Sequence, residues 1–378
     1  MKKVGSVKKL KTLTLLNYRE RKRRLKVSRL LKRLKLKYLI KKVPYPDYAL
    51  PAPEFNTLKK KKPLRIITEI TPPADLSLRR NSAEVIGFMQ HLRHWLYNGS
   101  GGGKRLTKRI DFTKIERISP SAALVLAAEL DRWQSTNRMK LAPHQPENWN
   151  PEVATILNDL GLFDLLEIRC PEEIKTRDSS NVTKVLKYIR QKIVDPTRLG
   201  DMLVHLTEIA GPIAARNFMY DGLIEALKNA KHHAYIEHQW YGVGLGTSWM
   251  TGAYNPRQKR LTAAVFDCGV GIPQTLPSSS LWSDILPLIN TFTGNQSSKR
   301  IAAALKYGRT RTMQAERGNG LPTMMRLIDQ IGGELRILSG NGEVVYKGQG
   351  QILSKDLPGS LGGTLIEWRL EGTGEDDD

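Results

Sequence analysis

An apolar run within LTAAVFDCGVGIP (261–273) breaks off at Asp267-Cys268-Gly269-Val270-Gly271. Such a run, ended by glycines, predicts a strand. A strand that stops at D-x-G-x-G aims one carboxylate, Asp267, into a pocket. Gly269 and Gly271 let the backbone bend closely around whatever lies there. A helical pattern comes before this strand and another after it, and a last strand opens at GGTLIEWRL (362–370). The chain therefore reads as α/β.

The preceding helical pattern, GLIEALKNAKHHAY (222–235), spaces Glu225, Asn229 and His233 four residues apart. On a helix all three share one face. Ile224, Leu227 and Ala234 fall on other sides. A carboxylate and a carboxamide one turn apart suit a hydrated metal and a phosphate chain, since an amide oxygen is a neutral, hard Mg²⁺ ligand. The carboxylate would orient and deprotonate a hydroxyl or water. A solvated face on an amphipathic helix accounts for the stripe equally well. ERGNGLPTMMRLIDQIGG (316–333) places Gly318 and Gly320 just before the second helix. Backbone N–H groups at such a start form an anion site. Asp267 would accept from an exocyclic amine, as on adenine, and Thr364 would hydrogen-bond near the base.

These four pieces, in this order, resemble the N box, the two glycine boxes and the closing G-T of the GHKL family of ATP-binding domains. The similarity covers about 205–371 and is greatest to the anti-sigma-factor serine kinases. Their N box aligns with Glu225, Asn229, Ala230, His233, Ala234 and Tyr235, and their second glycine box follows a Glu-Arg pair, here Glu316-Arg317. The resemblance implies ATP and Mg²⁺ as cofactors, with Asn229 holding the metal and Glu225 acting as the base. It implies that Asp267 reads adenine beside Gly269, Gly271 and Thr364, and that Arg317, Gly318 and Gly320 lie at the phosphates. The segment between the glycine boxes, about 274–317, resembles the ATP lid. Lys299, Arg300, Arg309 and Arg311 would reach phosphates from it, or form a solvated basic helix.

Upstream, TKRIDFTKIERISPSAALVLAAELDRW (107–133) predicts a strand, a turn and an amphipathic helix. NWNPEVATILNDLGLFDLLEI (148–168) predicts a helix, a turn at Gly161 and a strand. RIITEITPP (65–73) and SAEVIGFMQHLRHWLY (82–97) add an earlier strand and helix. This order resembles STAS domains, the fold of anti-sigma-factor antagonists. Ser121 aligns with that family's phosphoacceptor, but the flanking Asp and Gly are replaced by Ser119 and Ala122. A helix N-cap is the competing role for Ser121.

The expected organisation is a basic arm with a Pro-rich linker (1–62), a STAS-like α/β domain (63–172), a GHKL α/β sandwich (173–372) and an acidic tail (373–378). In the sandwich a mixed sheet would carry helices on one face. The arm holds 22 of the 60 Lys and Arg residues and 3 of the 37 acidic ones, and so most of the formal charge of +23. RKRRLKVSRLLKRLKLKYLIKK (21–42) spaces Val27, Leu30, Leu31, Leu34 and Tyr38 helically among cations. Such a helix would lie on nucleic acid phosphates or an anionic membrane without sequence preference. A flexible solubilising tail and a partner-packing helix are the alternatives. Cys170 and Cys268 alone give no disulfide framework and no zinc spacing. Together with the lack of a secretory pattern they suggest a cytoplasmic protein.

Three functional classes follow. The chain is a signalling switch with serine kinase activity on a STAS-type or sigma/anti-sigma-like partner, an ATP-hydrolysing dimer switch, or a nucleotide-binding scaffold without turnover. A sensor histidine kinase is disfavoured, because His205 precedes Leu206 rather than an acid and no two-helix hairpin comes before the ATP-binding region.

Overall fold

The computed structural model describes residues 66–97, 106–137, 141–176, 180–235, 246–279, 281–310 and 320–371. All lie in one compact unit, Phe55–Asp378. Residues 1–62, NGSGGGK (98–104) and the acidic tail lie outside the described residues.

The upstream elements are β1 (Ile66–Ile70), β2 (Asp75–Leu76), α1 (Ser82–Tyr97), β3 (Leu106–Ile110), β4 (Arg117–Ile118), α2 (Pro120–Asn137), β5 (Ala142–Pro143), α3 (Pro151–Leu160), α4 (Leu162–Leu166) and α5 (Glu172–Lys175). The downstream strands are β6 (Lys184–Val185), β7 (Ile189–Gln191), β8 (Ser248–Asn255), β9 (Arg260–Asp267), β10 (Glu334–Ser339), β11 (Gly342–Tyr346), β12 (Ile352–Asp356) and β13 (Thr364–Glu371). The helices among them are α6 (Pro196–Ala210), α7 (Arg216–His233), α8 (Ile272–Thr275), α9 (Trp282–Ile289), α10 (Gln296–Thr310) and α11 (Gly320–Ile331).

Upstream, β1, β3 and β5 form a small parallel sheet, and β2 pairs in parallel with β4. β1 and α1 stand where the sequence places them. The strand expected after Gly161 is instead the helix α4, entered through left-handed Gly161 (φ 94°). Leu162, Phe163 and Leu166 are buried along it. A run this short does not separate strand from helix by periodicity. Ahead of it, Asn150 caps α3 by accepting from the backbone N–H groups of Glu152 and Val153, with Pro151 in the first turn.

The downstream sheet runs β12-β11-β10-β13-β9-β8-β6, with β7 also pairing with β8. Every described pairing in it is antiparallel, a correction to the mixed sheet expected. Short connections after β8, β10 and β11 fold neighbouring strands back as hairpins, which parallel pairing does not allow.

Along β8 and β9 the two faces alternate between two apolar clusters. Met250, Ala263 and Val265 join the cluster under α6, α7, α10 and α11. Trp249, Ala264 and Phe266 join the upstream cluster, together with Leu338 and Leu365. Helices therefore cover both faces of the sheet, not the one face expected. The second face is too apolar to be left in water, and α2 covers it. That helix packs on β8, β9 and β13 from one side and on α1, α3 and α4 from the other. It is buried continuously from Ser121 to Asp131, so it is enclosed rather than amphipathic. Residues on both sides of position 172 thus share one core.

Buried polar groups on α2 are paired across this contact. Asp131 accepts from Trp249 Nε1 (2.7 Å) and from Arg190 (3.1 Å). Fully buried Glu129 is held by Arg93 (2.5 Å) and Arg132 (2.8 Å). Such pairing is what a desolvated carboxylate requires.

Candidate nucleotide site

β9 is a central strand between β8 and β13, buried on both faces, which is why its sequence is a near-continuous apolar run. Its last residue, Asp267, is buried. The carboxylate accepts from Gly269 N at 2.8 Å and from the backbone N–H of Thr364, its register partner on β13. Burial pushes this carboxyl up from 3.8 to about 7, and the two amide bonds offset only part of that.

The loop after Asp267 is fastened to the end of α7. Val270 N donates to Ala234 O at 2.8 Å. The Tyr235 hydroxyl donates to Thr247 O (2.7 Å) and accepts from Cys268 N (3.2 Å). A Cβ on Gly269 would collide with the Ala234 carbonyl, so glycine is needed for this approach. Gly271 is left-handed (φ 91°), and a Cβ there would stand 2.8 Å from Ser339 Oγ. Both glycines thus serve the packing of the loop itself. Gly363 lies against the Asp267 carbonyl, where no side chain fits.

Ser339 is a site residue that the sequence reading missed. It ends β10 opposite Thr364 and shares a hydrogen bond with Thr364 Oγ1 (2.9 Å). It also accepts from Ile272 N (2.8 Å), tying the glycine loop to the closing strand. A serine ending the apolar strand ELRILS before a Gly-Asn turn is the signal that marks it.

α7 buries Met219, Gly222, Leu223, Ala226, Leu227 and Ala230. Glu225 and Asn229 lie half-buried beside this stripe, and His233 ends the helix exposed. Glu225 Oε1 pairs with Lys228 Nζ at 2.6 Å. The first residue of α11, Gly320, lies against both polar groups. A Cβ on it would stand 3.2 Å from Asn229 Nδ2, 3.4 Å from Asn229 Oδ1 and 3.4 Å from Glu225 Oε2. The structure thus brings Gly320, Asn229 and Glu225 together. About 7 Å further along the α7 axis, its end meets the Asp267 loop. Arg317 and Gly318 lie outside the described residues.

In the segment between the glycine-rich stretches, α10 is no solvated basic helix, because Ile301–Leu305 are all buried. Arg300 donates to Pro273 O (2.9 Å), with its guanidinium 5.4 Å from the Trp282 ring. It thus ties α10 to α8, which carries Pro273. Arg311 and the side chain of Arg309 lie outside the described residues.

Ser121 is buried at 2% exposure, and its hydroxyl hydrogen-bonds Glu367 on β13. Burial alone would raise the Glu367 carboxyl, but Arg336 and Arg79 hold it below its usual value. The cap of α2 is Ser119, whose hydroxyl accepts from Ala122 N (3.3 Å). The cap role expected of Ser121 thus belongs to Ser119, and the Ser121 hydroxyl, expected at the surface, faces Glu367 instead.

No protein-family model matches the chain, and no curated protein matches it. Among the described residues no group of three or more His, Cys, Asp and Glu is arranged to hold a metal, and no helix is long and apolar enough to cross a membrane.

Proposed function

We propose that the chain is an ATP-binding signalling switch of the GHKL kind, fused to a STAS-like domain that covers the back of its sheet. The observation that carries this reading is the contact of Gly320 with Asn229 and Glu225. A helix N-terminus bare of side chain leaves its N–H groups free for an anion, and it faces an amide oxygen and a carboxylate. Asp267 supplies the other end of the ligand, a buried acceptor for an exocyclic amine.

These residues fit Mg²⁺-bound ATP. The amide oxygen of Asn229 would hold the ion, with the α11 N-terminus beside the phosphates. When bound, Mg²⁺ would offset phosphate charge. Asp267, with Thr364 and Ser339 behind it, fixes the base. Glu225, released from Lys228, would take a proton from the attacking hydroxyl as that oxygen bonds to the γ-phosphorus, the β–γ bridging bond breaks and ADP leaves.

The attacking hydroxyl is not that of Ser121, which faces Glu367 inside the protein. A serine of a separate STAS-type protein is the acceptor in the kinase reading. Water is the alternative acceptor, which makes the chain an ATPase switch. Incubation of the full chain with γ-labelled ATP tests the proposal. Label on an added STAS-type protein supports the kinase, and free phosphate supports the ATPase. No label transfer and no phosphate release, with Mg²⁺ present, overturns both.

A further inference from the structure

We infer that Arg93, on the upstream helix α1, is a positioning residue for the base end of the nucleotide site. The inference rests on the nucleotide reading above. Gly363 and Thr364 reach Asp267 from the turn at 359–362, and α1 grips this turn from behind. The Arg93 guanidinium donates from Nη2 to Leu361 O, and a Cβ on left-handed Gly362 (φ 80°) would collide with it. One helical turn earlier, Gln90 Nε2 donates to Ser360 O at 3.1 Å.

Arg93 also reaches the other half of the base site. Its Nε donates to Glu129 Oε1 at 2.5 Å, and the Cys268 thiol lies 4.0 Å from that same oxygen. Cys268 directly follows Asp267. One guanidinium therefore braces both the turn before Thr364 and, through Glu129, the strand end that carries Asp267. Glu129 is fully buried and also bound by Arg132, so this brace is stiff. A lysine at position 93 would keep the ion pair with Glu129. Its single nitrogen would not span Glu129 and Leu361 with the fixed fork of a guanidinium.

The test uses the full chain and two probes, ATP and inorganic tripolyphosphate with Mg²⁺, titrated into wild type, Arg93→Lys, Gln90→Ala and Lys187→Ala. Gln90 is exposed, so its loss leaves the core intact. Lys187 makes an exposed ion pair with Asp164 and serves as the control. Arg93→Lys is expected to weaken ATP about tenfold and Gln90→Ala about threefold, the scale of one hydrogen bond to a positioned group. Tripolyphosphate should bind all four proteins alike, because it lacks the base. Unchanged ATP affinity in both α1 variants overturns the positioning role, as does a parallel loss of ATP and tripolyphosphate. Failure of wild type to bind ATP overturns the nucleotide reading as well. Wild-type binding with unresponsive variants removes the Arg93 role alone.

Discussion

Gly320 abuts Asn229 so closely that a Cβ on Gly320 would stand 3.2 Å from the amide nitrogen of Asn229. The helix that begins at Gly320 approaches the polar face of α7 this closely because its first residue has no side chain, and a Cβ there would push the Asn229 amide aside by a few tenths of an ångström. This contact joins two segments separated by about ninety residues of chain into one polar surface.

Gly320→Ala separates binding from folding at this contact. Alanine favours a helix by up to about 1 kcal/mol over glycine, so the melting temperature should hold or rise. The methyl would crowd Asn229 and Glu225, and ATP affinity should fall about tenfold, near 1.4 kcal/mol. Melting curves and ATP titration of the same preparation check this. Loss of stability without loss of affinity would make Gly320 a packing residue only.

Glu225 and Asn229 should differ in what they do. Glu225→Gln keeps shape and removes the base, so ATP should bind about as in wild type while turnover falls about 10²-fold or more. Asn229→Ala should weaken ATP binding with Mg²⁺ and have less effect without it. Single-turnover rates alongside binding constants decide. A Glu225→Gln protein that turns over at the wild-type rate would remove Glu225 from the chemistry.

Ser121 should remain unmodified after incubation with ATP, because its hydroxyl is buried against Glu367. Ser121→Asp would place a second carboxylate there, and should destabilise the fold by about 3 kcal/mol or more. Ser121→Ala should cost about 1 kcal/mol. Peptide mass spectrometry and denaturant unfolding read these outcomes. Phosphate on Ser121 would show that α2 leaves the sheet.

The parts of the site that were legible in sequence are those carried by local punctuation. Asp267 ends an apolar run at glycines, and Glu225 and Asn229 repeat at a helical interval. What was not legible depends on contacts far apart in the chain. The second apolar face of the sheet is spread over Trp249, Phe266, Leu338 and Leu365 on four strands. No local window shows that SAALVLAAEL will lie across it. Arg93 and Leu361 stand 268 residues apart, and nothing near either one announces the other. Gly269 and Gly271 were readable as necessary glycines, but what fills the space beside them, Ala234 and Ser339, was not.

The pH dependence follows from Asp267, whose carboxyl burial lifts from 3.8 to about 7. An amine donor on the ligand favours the ionised form. ATP affinity should therefore rise with pH up to about 7 and level off above it, with a proton released on binding below that point. In the ligand-free protein the sign is opposite. The folded state holds this proton more tightly than the unfolded chain, so stability is greatest below about pH 4 for this group and is lost as the pH rises through about 7. Melting of wild type beside Asp267→Asn across this range isolates the effect, and parallel curves would contradict it.

In the proposed function the end of β9 reads the base of a nucleotide. Calorimetric titration of ATP into wild type and Asp267→Asn tests it most directly. The substitution keeps the shape of the side chain, removes its charge and sets a donor where the ligand also donates. Affinity should fall about ten- to a hundredfold, the 1.5–3 kcal/mol of a charge-assisted hydrogen bond, with the fold intact. Equal affinity in the two folded proteins would contradict the account.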